Sequence, residues 1–174
     1  IATFQHFLEG YKVADLIAEH GAGASTFSDW WQYKYEVIDA IPHNGPIMTK
    51  NDVIVSYNSD DQELARSLNV EASKAIKYGN LTEEEALKYI TINPARQLNI
   101  ETWVGSIEIG KQADFVVWDG PPLSSSSHVL QTWIDGYKYY DYLDNKELEE
   151  RDTEIRSTII QSILKIKNAK KNKK

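Results

Sequence analysis

Cysteine is absent from all 174 residues of this chain. Its absence excludes disulfide bonds and every metal site built on thiolate ligands, so any bound metal would need histidine nitrogens or carboxylates. The chain also lacks an apolar run of about 18 residues, which a transmembrane helix requires. It contains no segment with the features of a signal peptide either.

The chain has fewer basic than acidic residues. Lys and Arg number 19 against 26 Asp and Glu, and the resulting net charge of −7 at pH 7 argues against a nucleic-acid partner. We also expect no membrane partner, and we interpret the Lys-rich end, residues 165–174, as a solvated tail. A start-like region is missing as well, because the chain opens with Ile1-Ala2-Thr3-Phe4. We therefore expect the sequence to be the interior of a longer protein.

What is present in residues 1–100 is an alternation of short apolar runs with helical patterns, which predicts an α/β fold. Thr82 followed by Glu85 predicts a capping box, Gly79 predicts a left-handed helix cap, and Asn93-Pro94 predicts a helix end. The predicted strands are 1–4, 21–27 and 53–57. The predicted helices are 8–19, 33–40, a short one that ends with 47–51, one from 62 to 79, and one from 82 to 93.

The pattern changes to β structure near Ile100. Strands are predicted at 104–109 and 113–118, and a hairpin is predicted around Asp135-Gly136, with strands at 129–134 and 137–140. From Leu143 onward the chain is highly charged, and aliphatic residues at helical spacing predict an amphipathic helix. We accordingly divide the chain into residues 1–100, 101–141 and 142–174.

Asp60 is the candidate catalytic residue. It follows the buried strand 53–57, and acidic side chains at the carboxyl ends of strands in parallel α/β sheets lie where ligands and metals bind. The alternative is an N-cap of the next helix, a role that Asp60 and its neighbours can all fill. Asp61 is the more natural cap, which leaves Asp60 as the inward-facing acid.

Histidine and tryptophan supply the other candidates. His6 follows a strand-like run and is the best candidate for a metal ligand, while His20 and His43 precede or lie in loops that could contact substrate. A structural role for each histidine stays open. Trp30 and the adjacent Trp31 must point in different directions, so one is expected to pack and the other to line a pocket, although ordinary packing of both stays open.

Three segments resemble the C-terminal part of the amidohydrolase superfamily, in its imidazolonepropionase-like branch. The resemblance lies in their order and spacing: a strand that ends in Ser-Asp, an Asn-Pro-Ala helix, and a Val-Gly-Ser-Ile-Glu-x-Gly-Lys-x-Ala-Asp segment. These segments are residues 55–60, 91–98 and 104–117, and the resemblance covers about residues 1–140.

The resemblance implies a (β/α)8 barrel with a small β-sandwich built from both chain ends. Residues 1–6, 22–27 and 53–60 would be barrel strands six, seven and eight, and residues 101–141 would be the C-terminal half of the sandwich. It implies that His6 is a metal ligand and that Asp60 contacts the metal and shuttles protons. The implied reaction is hydrolysis of a C–N bond in a cyclic or linear amide by a metal-activated water, with Zn²⁺ as the default metal.

The family's remaining ligands are missing from this sequence. Its His-x-His pair on strand one, its strand-four Lys or carboxylate and its strand-five His have no counterpart here. Two ligands and three strands complete neither a catalytic metal site nor a barrel. We therefore expect the isolated chain to be inactive, and its partners to be a small-molecule amide together with the rest of the barrel or a second copy. Two alternatives stay open: a degenerate fold that serves interaction, and a dipeptidase or prolidase of the same superfamily.

Overall fold

Helices alternate with parallel strands in the first half of the chain in the computed structural model, which describes residues 2–171. The predictions for Ile1 and for the end of the Lys-rich tail, residues 172–174, lie outside the described residues. The strands are β1 (Thr3–Phe4), β2 (Gly23–Thr26), β3 (Val55–Tyr57), β4 (Phe115–Trp118), β5 (Val129–Ile134) and β6 (Tyr137–Asp141), and the helices are α1 (Ala14–His20), α2 (Asn44–Lys50), α3 (Gln62–Ala65), α4 (Leu68–Gly79), α5 (Glu83–Lys88), α6 (Ile92–Gln97) and α7 (Tyr142–Lys171).

The first sheet is parallel, in the order β1-β2-β3. Ala24 of β2 lies opposite Phe4 of β1 and Val55 of β3. Strands β2 and β3 are buried along their length, whereas β1 is exposed. Helix α1 connects β1 to β2, and α2 connects β2 to β3, because parallel strands need a crossover. The carboxyl ends of all three strands therefore meet at one edge.

The core packs this sheet against its helices. Val55 of β3, Met48 of α2 and Ala72 of α4 are fully buried in one cluster. The rings of Tyr57 and Tyr89 meet edge to face, with their centroids 4.7 Å apart. The capping box of Thr82 with the carboxylate three residues later is confirmed, and it starts the helix that precedes Tyr89. This packing fixes the positions at which the strands end.

Helix α6 is tied to the sheet by side-chain amides. Asn93 Nδ2 donates to the Val55 carbonyl oxygen at 2.8 Å, and Gln97 Nε2 donates to the Ile54 carbonyl oxygen at 2.9 Å. The prediction that Asn93-Pro94 ends a helix is wrong. Pro94 lies in the first turn of α6, where a missing N–H leaves no intrahelical hydrogen bond unmade.

The single helix predicted over residues 62–79 is two helices, α3 and α4. The prediction of a left-handed cap at Gly79 is also wrong, because Asn80 takes that conformation with φ 55°. Gly79 instead allows close packing, since a Cβ there would lie 2.2 Å from Pro46 Cβ. The lack of a side chain lets the end of α4 approach α2.

The segment after β2 differs most from its prediction. In place of a helix over 33–40 there is a single 3-10 turn, Tyr35–Val37. The segment cannot bury one apolar face, since Tyr35 is 86% and Ile38 54% exposed. The helix predicted over 8–19 likewise begins as a 3-10 turn, Gly10–Val13, before α1. The short helix predicted to end with residues 47–51 is α2, which ends at Lys50.

Strands β4, β5 and β6 form an antiparallel sheet in that order. The hairpin predicted at Asp135-Gly136 is confirmed, and both turn residues have positive φ. The prediction of a strand over 104–109 is wrong: the segment forms turns, with Ile107 and Ile109 exposed. A strand needs a neighbour for its backbone N–H and C=O groups, and the described chain offers none to this segment.

The predicted C-terminal helix is confirmed as α7, which begins directly after β6 and contacts β5 and β6. Its aliphatic residues beyond Leu143 are exposed. Over the part of the chain that the structure describes, no helix is both long and apolar enough to cross a membrane.

Candidate active site

His6 lies just beyond the carboxyl end of β1. Its φ of 57° is in the left-handed region, which a histidine adopts more readily than most residues but which still marks a constrained backbone. The ring packs against Phe27, with centroids 5.1 Å apart. Phe27 follows β2 directly, so the position of His6 is set by the neighbouring strand.

Asp60 and Asp61 follow β3 and have different surroundings. Asp61 Oδ1 accepts hydrogen bonds from the backbone N–H of Glu63 at 2.8 Å and of Leu64 at 3.2 Å, which makes Asp61 the N-cap of α3. The expectation that Asp61 is the cap is therefore confirmed. Asp60 takes no part in these bonds, and its carboxylate faces His6 beyond the end of β1.

His6 and Asp60 meet at the carboxyl edge of the sheet. His6 Nε2 lies 3.3 Å from Asp60 Oδ1, and the two side chains are 48% and 58% exposed. This separation suits an ion pair. It also suits two ligands of one tetrahedral metal, because bond lengths of about 2.0–2.1 Å place such ligand atoms roughly 3.3–3.4 Å apart. A nitrogen donor beside a carboxylate oxygen is a chemically suitable pair for zinc.

The pair is not a complete metal site. In residues 2–171, no three His, Asp or Glu side chains converge in a way that could hold a metal ion. His6 and Asp60 could therefore supply two ligands, with the others coming from outside the described residues.

A cavity of about 310 Å³ opens beside the pair. Its walls are mainly apolar and aromatic, which is typical of a pocket for a small organic molecule. An ion pair lies at its rim, where Lys34 Nζ is 2.6 Å from Glu36 Oε2. The lining residues are His6, Leu8, Phe27, Trp30, Tyr33, Lys34, Glu36, Val37 and Asp60.

The adjacent tryptophans point in different directions, as expected. Trp30 lines the cavity and meets the Tyr33 ring edge on, with centroids 5.0 Å apart. Trp31 packs instead against Tyr78 of α4, with centroids 5.5 Å apart. Of the two, Trp30 is the one placed to contact a ligand.

The backbone before Trp30 is held by a buried polar network that the sequence analysis missed. Glu71 of α4 accepts a hydrogen bond from Ser28, and its Oε2 lies 2.8 Å from Lys74 Nζ. Lys74 Nζ also lies 2.9 Å from Asp29 Oδ1. Burial lowers the pKa of Lys74, but hydrogen bonds to Glu71 and Asp29 raise it by more, so this pKa lies above its usual value. The charged network fixes the start of the pocket wall.

The other two predicted histidines lie outside the cavity lining. His20 ends α1 near the amino end of β2, and its ring is 6.3 Å from that of Phe4. His43 precedes α2, and its ring meets that of Tyr78 edge to face, with centroids 5.7 Å apart. A role in substrate binding stays a prediction for both residues. The cavity lining also includes Tyr33, for which the sequence already suggested a place in a pocket wall, and Lys34 and Glu36, which the sequence did not single out.

Replacing Asp61 by Ala is expected to lower the free energy of unfolding by about 1 kcal/mol, because two N–H groups at the start of α3 lose their acceptor. Asp60→Ala, which removes no cap bond, is the matched control and should change stability by less than about 0.5 kcal/mol. Urea unfolding of both variants measures the difference. Equal losses would assign the cap to both residues.

Comparison with known proteins shows which proteins this chain is similar to. A sequence profile described as the amidohydrolase family matches residues 44–162. The amidohydrolase tasK of Hapsidospora irregularis is 32% identical over 146 residues, which span 81% of this chain and 15% of that protein. An imidazolonepropionase of Pseudomonas aeruginosa (strain UCBPP-PA14) is 40% identical over 82 residues, which span 47% of this chain and 19% of that protein.

A solved structure has a similar fold. The crystal structure of an amidohydrolase from Thermotoga maritima MSB8 matches 80% of this chain and 37% of its own, with 32% identity and a TM-score of 0.75. This likeness implies a TIM-barrel-type fold for the α/β part. The chain spans less than a fifth of the length of the two curated relatives.

Proposed function

Because the chain belongs to the amidohydrolase family, we propose that it is the C-terminal part of a metal-dependent hydrolase that cleaves C–N bonds in small amides. The observation that carries this proposal is the His6–Asp60 pair, 3.3 Å apart where β1 and β3 end. An imidazole beside a carboxylate at the carboxyl edge of a parallel sheet is suited to metal-assisted hydrolysis.

The proposed architecture assigns β1, β2 and β3 to barrel strands six, seven and eight. Residues 1–100 would belong to the barrel, residues 101–141 to half of a composite β-sandwich, and residues 142–174 to a charged amphipathic helix with a Lys-rich tail. Strands β1 and β3 form the edges of the parallel sheet within the described residues. These edges are where the rest of the barrel would pair, so the chain alone should be inactive.

In the proposed mechanism, His6 and Asp60 would hold the metal together with ligands from the rest of the protein. When bound, a divalent metal such as Zn²⁺ supplies Lewis-acid polarisation of the carbonyl and lowers the pKa of water to about 7. The Asp60 carboxylate accepts a proton from the attacking water as the C–O bond forms. It then delivers that proton to the nitrogen as the C–N bond breaks.

The aromatic walls set the expected substrate class. Phe27, Trp30 and Tyr33 offer apolar and π surfaces on one side of the His6–Asp60 pair. Such walls suit a small planar or cyclic group, with the reacting bond directed at Asp60. The Lys34–Glu36 pair at the rim offers charged contacts to its polar end.

The test is metal removal from the complete protein, assayed against a panel of cyclic and linear amides. Chelation should abolish hydrolysis, and stoichiometric Zn²⁺ should restore it, whereas the 174-residue chain should show no hydrolysis in either state. Hydrolysis that persists after the metal has been removed would contradict the proposal. Hydrolysis by the isolated chain would contradict the proposed need for the other strands.

A further inference from the structure

Helix α7 carries a stripe of solvent-exposed aliphatic side chains. Five side chains of this stripe are between 48% and 59% exposed. Their spacing places them on one face of the helix over about five turns. The four isoleucines follow one another turn by turn, and a charged turn at Arg151 and Asp152 separates them from Leu148. An exposed apolar stripe of this length on a charged helix marks a contact surface. The stripe consists of Leu148, Ile155, Ile159, Ile163 and Ile166.

Charge is separated along the same helix. All its acidic residues lie between Asp144 and Glu154, and no acidic residue follows Glu154. Lys165 and Lys167, both exposed, lie beyond the centre of the stripe. One half of the helix is therefore negative and the other half positive, with the aliphatic stripe running through both.

We propose that α7 is a self-association surface, which pairs antiparallel with α7 of a second copy of this chain about a centre at Ser157. In this register Leu148 lies opposite Ile166, and Ile155 lies opposite Ile159, of the other copy. Four of the five stripe residues of each copy are then covered by stripe residues of the other, because each pair occurs twice by symmetry. Ile163 lies opposite Arg151, whose aliphatic stem can cover it.

The same register brings opposite charges together. Glu147 and Lys165 lie on one flank of the stripe, and Glu149 and Lys167 lie on the other flank, within about one turn of direct opposition. A parallel pair would instead place like charges side by side in each half. An anionic membrane would attract the basic half but repel the acidic half, although the stripe passes through both. In the antiparallel register Arg151 lies near Lys165 and Arg156 near Arg156 of the other copy, but the net charges of the two facing halves are opposite. This net complementarity favours a second copy in antiparallel orientation.

Charge exchange tests the pairing in the 174-residue chain. The acidic variant carries Lys165→Glu and Lys167→Glu, and the basic variant carries Glu147→Lys and Glu149→Lys. By analytical ultracentrifugation, the wild type should dimerise, and each variant alone should do so with a Kd at least tenfold higher. An equimolar mixture of the two variants should recover the wild-type Kd. Glu150→Lys, which lies opposite the stripe, is the matched control and should leave the Kd unchanged.

Cysteine cross-linking tests the direction, because the chain has no cysteine of its own. Leu148→Cys and Ile166→Cys, mixed, should form a disulfide between copies under oxidation. Neither variant alone should do so, since its two copies would lie about 27 Å apart along the axis. Cross-linking of either variant with itself would overturn the antiparallel register.

Other outcomes identify other occupants and overturn the proposal. A wild-type chain that stays monomeric and binds anionic vesicles would assign the stripe to a membrane surface. Association that is equally strong in both charge variants would arise from another surface, such as the open sheet edges. The complete protein could also stay monomeric while hydrogen exchange shows that the stripe is covered. That result would mean that the stripe packs against the rest of the same protein.

Discussion

Asp60→Asn in the complete enzyme is expected to lower kcat by at least about a hundredfold, because a carboxamide cannot accept the proton of the attacking water. The substitution keeps the size of the side chain and removes only its charge and basicity. The result rests on the proposed assignment of Asp60, which faces His6 at 3.3 Å. Steady-state hydrolysis at saturating substrate measures the change.

Asp61→Asn is the matched control, since it makes the same change one residue away. Asparagine is as good an N-cap as aspartate, so α3 should keep its cap and kcat should stay near the wild-type value. Metal content must be measured for both variants, because loss of the metal would lower kcat without testing proton transfer. Wild-type turnover by Asp60→Asn with its metal retained would remove Asp60 from the mechanism.

The relation between sequence and structure is closest at the strand ends. An acidic pair after an apolar run predicted the end of β3. Helix-capping preferences favoured Asp61 over Asp60 as the cap, and the hydrogen bonds to Asp61 confirm this. The contact between His6 and Asp60 could not be predicted from local sequence, because 54 positions separate the two residues in the chain. It follows from the parallel order β1-β2-β3, which brings the ends of both outer strands beside Phe27.

The wrong predictions have a common physical cause, which is the influence of neighbours that a local pattern does not contain. Glycine is the residue type that most often forms a left-handed helix cap, but position 79 requires glycine for another reason, its close contact with Pro46. Residues 104–109 have the alternation of a strand, but they have no strand beside them in the described chain. Tyr35 has the spacing of a helical residue but nothing to pack against.

Glu71 and Lys74, near the candidate site, also have surroundings that the local sequence does not predict. Glu and Lys three positions apart on a helix predict a solvated ion pair, which contributes little to stability. Here the segment after β2 covers them, so that the side chains are only 8% and 19% exposed. Burial turns an ordinary surface pattern into the anchor of the wall that carries Trp30.

Lys74→Met is accordingly expected to lower the free energy of unfolding by about 3 kcal/mol, because it leaves the Glu71 carboxylate buried without its cation. Lys77→Met, on the same helix and exposed, is the control and should cost less than about 0.5 kcal/mol. Glu71→Gln combined with Lys74→Met should be more stable than Lys74→Met alone, since the only carboxylate still without its cation is that of Asp29, which is 40% exposed to water. Urea unfolding at pH 7 measures all three.

The pH dependence of this loss tests its electrostatic origin. The pKa of Lys74 is raised in the fold, so its charge stabilises the protein fully below the unfolded pKa of about 10.4. That contribution is lost as the pH rises through the higher folded pKa. The difference between wild type and Lys74→Met should therefore be constant from pH 7 to about pH 10 and shrink above it. A difference that stays constant through pH 12 would mean that Lys74 stabilises the pocket wall through its aliphatic packing rather than its charge.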